Sequence, residues 1–115
     1  MPSIKSIYAH RLLFALMVLS IALTMVGGVL LAVRVPAFSE PVILHVDPLI
    51  GVDRVGSIWE AVGIFGIGFI MVAVHMFLAA EFLERIPLLA YVSAAAGAFT
   101  ALLLLISTAY VVSLN

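Results

Sequence analysis

His75 is the residue whose type and setting could do the most chemistry. It stands in the uncharged run Ala61 to Ala80. At a helical rise of ~1.5 Å per residue it lies about 9 Å inside the charged end at Glu81. Ionisable groups at membrane depth are costly, and they mark functional sites by default. Gly68, Met71 and Ala79 share its side of the helix. A neutral imidazole among small residues can ligate a haem iron or the magnesium of a (bacterio)chlorophyll. The plainer alternative is a hydrogen bond across a helix interface. A bis-histidine haem within one chain is not expected. His10 sits at the edge of the first helix, His45 lies in the loop on the opposite side, and the third run has neither His nor Met. A second ligand would have to come from another subunit, or the metal would be five-coordinate.

The other polar residues have structural explanations. Ser57 and Glu60 are spaced as a capping box, and a carboxylate suits the positive end of a helix. Trp59 beside them fits an interfacial anchor. Glu81 and Arg85 are four apart in the favourable order and end the same helix as a solvated cap. Tyr8, His10 and Arg11 form a polar collar at the start of the first helix, where Arg11 can snorkel to headgroups. His45, Asp47 and Asp53 share one loop, which is thin ground for a metal site. No nucleophile–base pair, carboxylate dyad, phosphate loop or zinc motif is present, so no catalytic residue and no enzyme activity are expected.

The elements that hold these residues follow from composition. Of 115 residues, 66% are hydrophobic and 10% are charged, with a net charge of −1 and no cysteine. Mean hydropathy is +1.38. A soluble domain carries about a quarter charged residues, and one this small could not cover so much apolar surface. A soluble enzyme, a nucleic-acid binder and a disulfide scaffold are therefore excluded. Three runs carry no charge: Leu12 to Val33, Ala61 to Ala80 and Ile86 to Asn115. Each reaches the ~20 residues needed to cross a ~30 Å hydrocarbon core as a helix. The first run exceeds the 7–15 residues of a signal-peptide core, so a retained helix is expected.

These runs predict an all-α fold, an integral membrane three-helix bundle in one transmembrane domain. Helix 1 is expected at about 8–33, helix 2 at about 57–84 and helix 3 at about 88–112. Pro87 suits the first turn of a helix, so a short turn makes helices 2 and 3 antiparallel neighbours. A long ordered loop, 34–56, joins helices 1 and 2. Val42, Leu44 and Val46 alternate with Ile43 and His45 there, which predicts a short extended piece. Asp47-Pro48 and Gly51 signal turns. Lys5, Arg11 and Arg85 oppose Arg34 and Arg54, placing the N-terminus in the cytoplasm and the C-terminus outside. A multi-pass protein of a bacterial inner membrane is expected.

Helices in lipid associate through close packing at small residues. Helix 1 offers Ser20, Thr24, Gly28 and Ala32. Helix 2 offers Gly63, Gly66, Ala73 and Ala80, and helix 3 offers Ser93, Gly97 and Ala101. These smooth stripes either close an internal bundle or dock a partner subunit.

The run from Pro41 through Ala80 resembles a pattern in small bacterial three-helix membrane proteins of unassigned function. Its parts here are Pro41, Leu44-His45, Gly51-Val52-Asp53, Gly56, Trp59 and the helix ending near Leu78-Ala79-Ala80. The likeness covers nearly the whole chain and implies topology, with nothing chemical. In that pattern Asn is common at the position of His75, which implies a requirement for a polar mid-helix residue. A general likeness, three helices with one His in the second, is similar to the membrane-anchor subunits of succinate dehydrogenase. It carries over His75 alone.

The expected function is a small structural or accessory subunit of a larger membrane complex. An energy-transducing complex, respiratory or photosynthetic, is the class favoured. Its partners would be membrane lipids and larger integral membrane subunits. One alternative is a cofactor-binding anchor with His75 on haem or (bacterio)chlorophyll. A small homo-oligomeric channel or transporter is a second, though pores need polar faces that these helices lack.

Overall fold

The computed structural model describes residues 10–115, with Asp53 and Arg54 described in backbone only. Three α-helices lie among the described residues: α1 (Arg11–Arg34), α2 (Ile58–Phe82) and α3 (Pro87–Leu114). All three are long and apolar enough to cross a membrane. Observed and expected ends of α2 and α3 agree within two residues. The expected start of helix 1 and Tyr8 lie outside the described residues.

Local chemistry sets these ends. Ser57 Oγ accepts a hydrogen bond from the Glu60 N–H at 3.2 Å, capping α2. A second free donor of that first turn, the Ile58 N–H, is taken by Glu40 Oε1 at 3.0 Å. Helix N-termini leave such donors without intrahelical partners, so two carboxyl or hydroxyl caps fix where α2 begins. Pro87 occupies the first turn of α3 as its missing N–H allows.

α3 is the shared neighbour of the other two helices. α1 and α2 both lie along it and scarcely touch one another. At one end Leu13 of α1 packs with Ala79 of α2, with Leu83 just beyond that helix, and with Ala90 and Ala94 of α3. At the other end Leu31 packs with Ala61 and Val112. α1 and α3 therefore run parallel, and α2 runs antiparallel to both. The composition of α3 explains its central place. Ala90, Ala94, Gly97, Ala98 and Ala101 are buried along it, so two helices can approach its backbone at once. On α1 the buried residues include Ser20, Thr24 and Gly27. The Ser20 hydroxyl donates to the Leu16 carbonyl and Thr24 to the Ser20 carbonyl, both at 2.8 Å. Their polarity is thus spent within α1, and they present a small surface to α3.

The expected all-α chain is corrected in the 34–56 loop. A short 3₁₀ turn, Val35–Ala37, is followed by two antiparallel strands, β1 (Val42–Asp47) and β2 (Gly51–Gly56). The turn between them has Gly51 at φ +86°, a left-handed conformation that glycine adopts without steric cost. The Leu49 N–H donates to Asp47 Oδ1 at 2.8 Å, closing an Asx-type turn. One face of β1, Val42 and Leu44, is buried with Leu31, Phe38, Ala61 and Val112, so the hairpin caps this end of the helices.

Tyr110 of α3 and Asn115, its C-cap, hold the free edge of β1. Asn115 Oδ1 accepts from the Ile43 N–H at 2.9 Å, and its Nδ2 donates to the Ile43 carbonyl at 2.8 Å. The Val46 N–H donates to the Tyr110 hydroxyl at 3.1 Å, and that hydroxyl donates to the Val46 carbonyl at 3.2 Å. Ile43 and Val46 are three apart, whereas a regular strand turns every second residue to one edge. The irregular register around His45 brings both to the same side.

Candidate functional site

The residues with smooth side chains divide into three groups. Ser20, Thr24, Gly97 and Ala101 are buried in the contacts around α3, with Ser93 half-buried beside them. The α2 face that meets α3 is built differently from the stripe expected for it. Ala61, Val72 and Ala79 are the buried residues of α2. Gly68 lies against Leu104: a Cβ there would come within 2.5 Å of its Cδ1. Around Gly63 and Gly66, by contrast, a Cβ would meet nothing within 4 Å. Ala73 is exposed and Ala80 half-buried. The stripe Gly63, Gly66, Ala73 thus leaves the α3 contact to its neighbours.

A groove separates α1 from α2. Its main part encloses about 400 Å³ between Ile21, Thr24 and Met25 of α1 and Phe69, Val72, Ala73 and Met76 of α2. It continues as a smaller space of about 200 Å³ past Gly28, Val29 and Ala32 to Phe65 and Phe69. Gly28 and Ala32, expected as helix-packing positions, therefore line this groove. Beyond it the Phe65 ring closes the gap. A Cβ at Gly27 or Gly28 would meet that ring at 3.3 Å. Sequence reasoning singled out Gly28 and passed over Gly27, the buried one of the pair, because consecutive glycines give no phase by themselves.

His75 sits on the edge of the α2–α3 contact. Its Cβ would lie 3.0 Å from a Cβ placed at Gly97. Its Nδ1 is 2.7 Å from the Met71 carbonyl. A carbonyl only accepts, so Nδ1 carries a proton in this contact, and the tautomer that keeps this bond has its lone pair at Nε2. The hydrogen bond runs within α2 rather than across the interface. Where α1 and α3 begin, His10 Nδ1 and the Tyr91 hydroxyl share a hydrogen bond of 3.2 Å, joining the N-cap of α1 to the first turns of α3. His45 packs its ring against Tyr110 at 6.1 Å between centroids. No group of three His, Asp or Glu gathers among the described residues, and the Asp53 side chain lies outside them.

The arrangement is therefore one of surfaces. It offers an apolar groove, a smooth uncovered stripe on α2, one imidazole with an oriented nitrogen and a hairpin at one end. Tyr110 and Asn115, which hold the hairpin, and Glu40, which caps α2, carry no short-range sequence signal for those roles. Their partners lie 18 to 72 residues away. Compared with known proteins, the chain matches no family model, and no curated protein or solved structure matches it significantly.

Proposed function

We propose that this chain is a multi-pass membrane protein acting as a small non-enzymatic accessory subunit, docked by helix packing against a larger integral membrane partner. The observation that carries the reading is the unclosed α1–α2 side. Helices in lipid gain stability from close backbone approach. Here Ala73 lines a groove of about 400 Å³ between α1 and α2, and Gly63 and Gly66, which do not line it, have open space where a side chain would be. A partner helix laid in the groove would meet Ala73, and one packed on α2 would use the small surface at Gly63 and Gly66, which the described residues leave unused. The partner we propose is an energy-transducing assembly. In sequence, Lys5, Arg11 and Arg85 oppose Arg34 and Arg54, and three against two favours a cytoplasmic N-terminus.

A photo-crosslinking residue at Ala73, with Val18 as an outward-facing control, tests this in native membranes. A discrete protein adduct at Ala73 and lipid adducts at Val18 are expected. Lipid adducts alone at Ala73, with the chain recovered as an isolated monomer in mild detergent, would overturn the reading.

A second reading has one specific support. Nδ1 of His75 is held by the Met71 carbonyl at 2.7 Å, the outer-shell arrangement that aims Nε2 at a metal. His75 would then be the axial ligand of a haem or (bacterio)chlorophyll. A visible absorption band lost in His75→Ala supports this reading, and a colourless native protein ends it.

A further inference from the structure

We propose that the β1–β2 hairpin is a membrane-dipping element, whose tip residues Leu49 and Ile50 insert into the lipid leaflet on the side where α1 and α3 end. The proposal rests on reading the three helices as membrane spans, and on no partner subunit. Leu49 is 97% exposed and Ile50 78% exposed. A turn that faces water is ordinarily built of Gly, Asn, Asp, Ser and Pro. This one carries two large aliphatic side chains at its apex, and nothing among the described residues covers them.

The anchors of β1 show which way the tip points. β1 begins on Asn115, the last residue, and reaches Tyr110 three residues later. Asn115 itself curls back, with Nδ2 donating to the Val111 carbonyl at 2.9 Å. Five residues of helix are about 7.5 Å of rise, so β1 descends along α3 toward the middle of the fold. The tip follows Val46 in that direction. Overall length agrees. The longest extent is 49 Å, and α3 alone accounts for about 42 Å of it. The remaining ~7 Å cannot hold an upright hairpin whose strands are each about 20 Å long.

The depth follows from the same elements. α3 exceeds a ~30 Å hydrocarbon core by about 6 Å at each end if centred, which puts Tyr110 near the hydrocarbon boundary. Trp59, 80% exposed on the first turn of α2 at this end, is the residue type that settles there. Backbone chemistry limits how far the tip can go. Among the described residues the sheet has two strands, and no third strand covers the outer edge of β2. Its N–H and C=O groups need water or headgroups, because unpaired backbone is expelled from hydrocarbon. Insertion is therefore shallow, with Leu49 and Ile50 among the upper acyl carbons and β2 at headgroup level.

The chain has no cysteine, so single nitroxide labels can be placed cleanly. Labels at Leu49 and, separately, Ile50 are compared with Ile67, exposed in the middle of α2, and Ser39, exposed in the loop. The full chain is reconstituted in phosphatidylcholine–phosphatidylglycerol vesicles. Collision rates with oxygen, which concentrates in lipid, and with a water-soluble nickel chelate are measured. The tip labels should follow Ile67, with nickel accessibility several-fold below that at Ser39. Leu49→Asp should return the Ile50 label to the Ser39 level. Tip labels that match Ser39 while Ile67 stays in lipid overturn the hairpin proposal alone. An Ile67 label open to nickel overturns the membrane reading and this proposal with it. Tip labels wet in vesicles but shielded from both reagents in native membranes show a protein cover, which also overturns it.

Discussion

Two glycine-to-alanine substitutions of identical chemistry should differ in effect because one glycine is covered and the other is not. A Cβ at Gly97 would lie 2.7 Å from Met76 Cε and 3.0 Å from His75 Cβ. The methionine end can swing away, but His75 Cβ is tied to the α2 backbone. Optimal carbon contacts are about 3.5–4.0 Å, so α2 must retreat by roughly 0.5–1 Å at this point, which forfeits a quarter to a half of each local contact. Overpacking of this kind costs about 1–3 kcal/mol. Gly→Ala in a helix returns up to about 1 kcal/mol through propensity. Gly97→Ala should therefore lose about 1 kcal/mol net. Gly63→Ala, with nothing within 4 Å of its Cβ, should be neutral or gain. The difference between the two cancels the propensity term and should reach about 2 kcal/mol, roughly 30-fold in the folded-to-unfolded ratio. Reversible unfolding of the purified chain in mixed dodecyl sulfate and maltoside micelles, followed by Trp59 fluorescence, measures it. Equal stabilities, or Gly97→Ala above Gly63→Ala, would refute the assignment of Gly97 to the α2–α3 contact.

Three other perturbations probe the hairpin and the start of α2. Asn115→Leu removes both hydrogen bonds to Ile43 and should raise amide exchange at Ile43 by an amount corresponding to about 1–3 kcal/mol of lost protection. Tyr110→Phe should act likewise at Val46 and leave Ile43 slower to respond, as hydrogen-exchange mass spectrometry at peptide resolution would show. Ser57→Ala should cost about 1 kcal/mol through loss of the cap on the Glu60 N–H, read in the same micelle titration.

How much could be read from the chain depended on what each feature's signal was made of. The spans were legible because lipid demands length and apolarity, and charge ends the runs at Arg34 and near Glu81. Ser57 and Pro87 then marked two starts by local chemistry alone. The packed face of α2 was not legible. Gly63, Gly66 and Ala73 share a helical stripe, but so do Ala61, Gly68, Val72 and Ala79. On a helix that is apolar all round, nothing polar tells which stripe meets α3. β2 escaped notice because Gly51, Asp53, Arg54 and Gly56 are weak strand formers. It forms because Gly56 gives room to the Glu60 carboxylate and Leu44, and because Tyr110 and Asn115 steady the opposite edge of β1. Those anchors come from the far end of the chain, beyond any local pattern. His75 was visible as a polar residue at depth, and its tie to the Met71 carbonyl follows once α2 is known to be helical there.

The central claim is that the chain crosses the bilayer three times. Single cysteines at Ser39 and Glu84, tested with a membrane-impermeant maleimide in sealed right-side-out and inverted vesicles, address it directly. Ser39 should react from one side only and Glu84 from the other only, with a cysteine at Ser113 following Ser39. Reaction of Ser39 and Glu84 from the same face would contradict the three-span account.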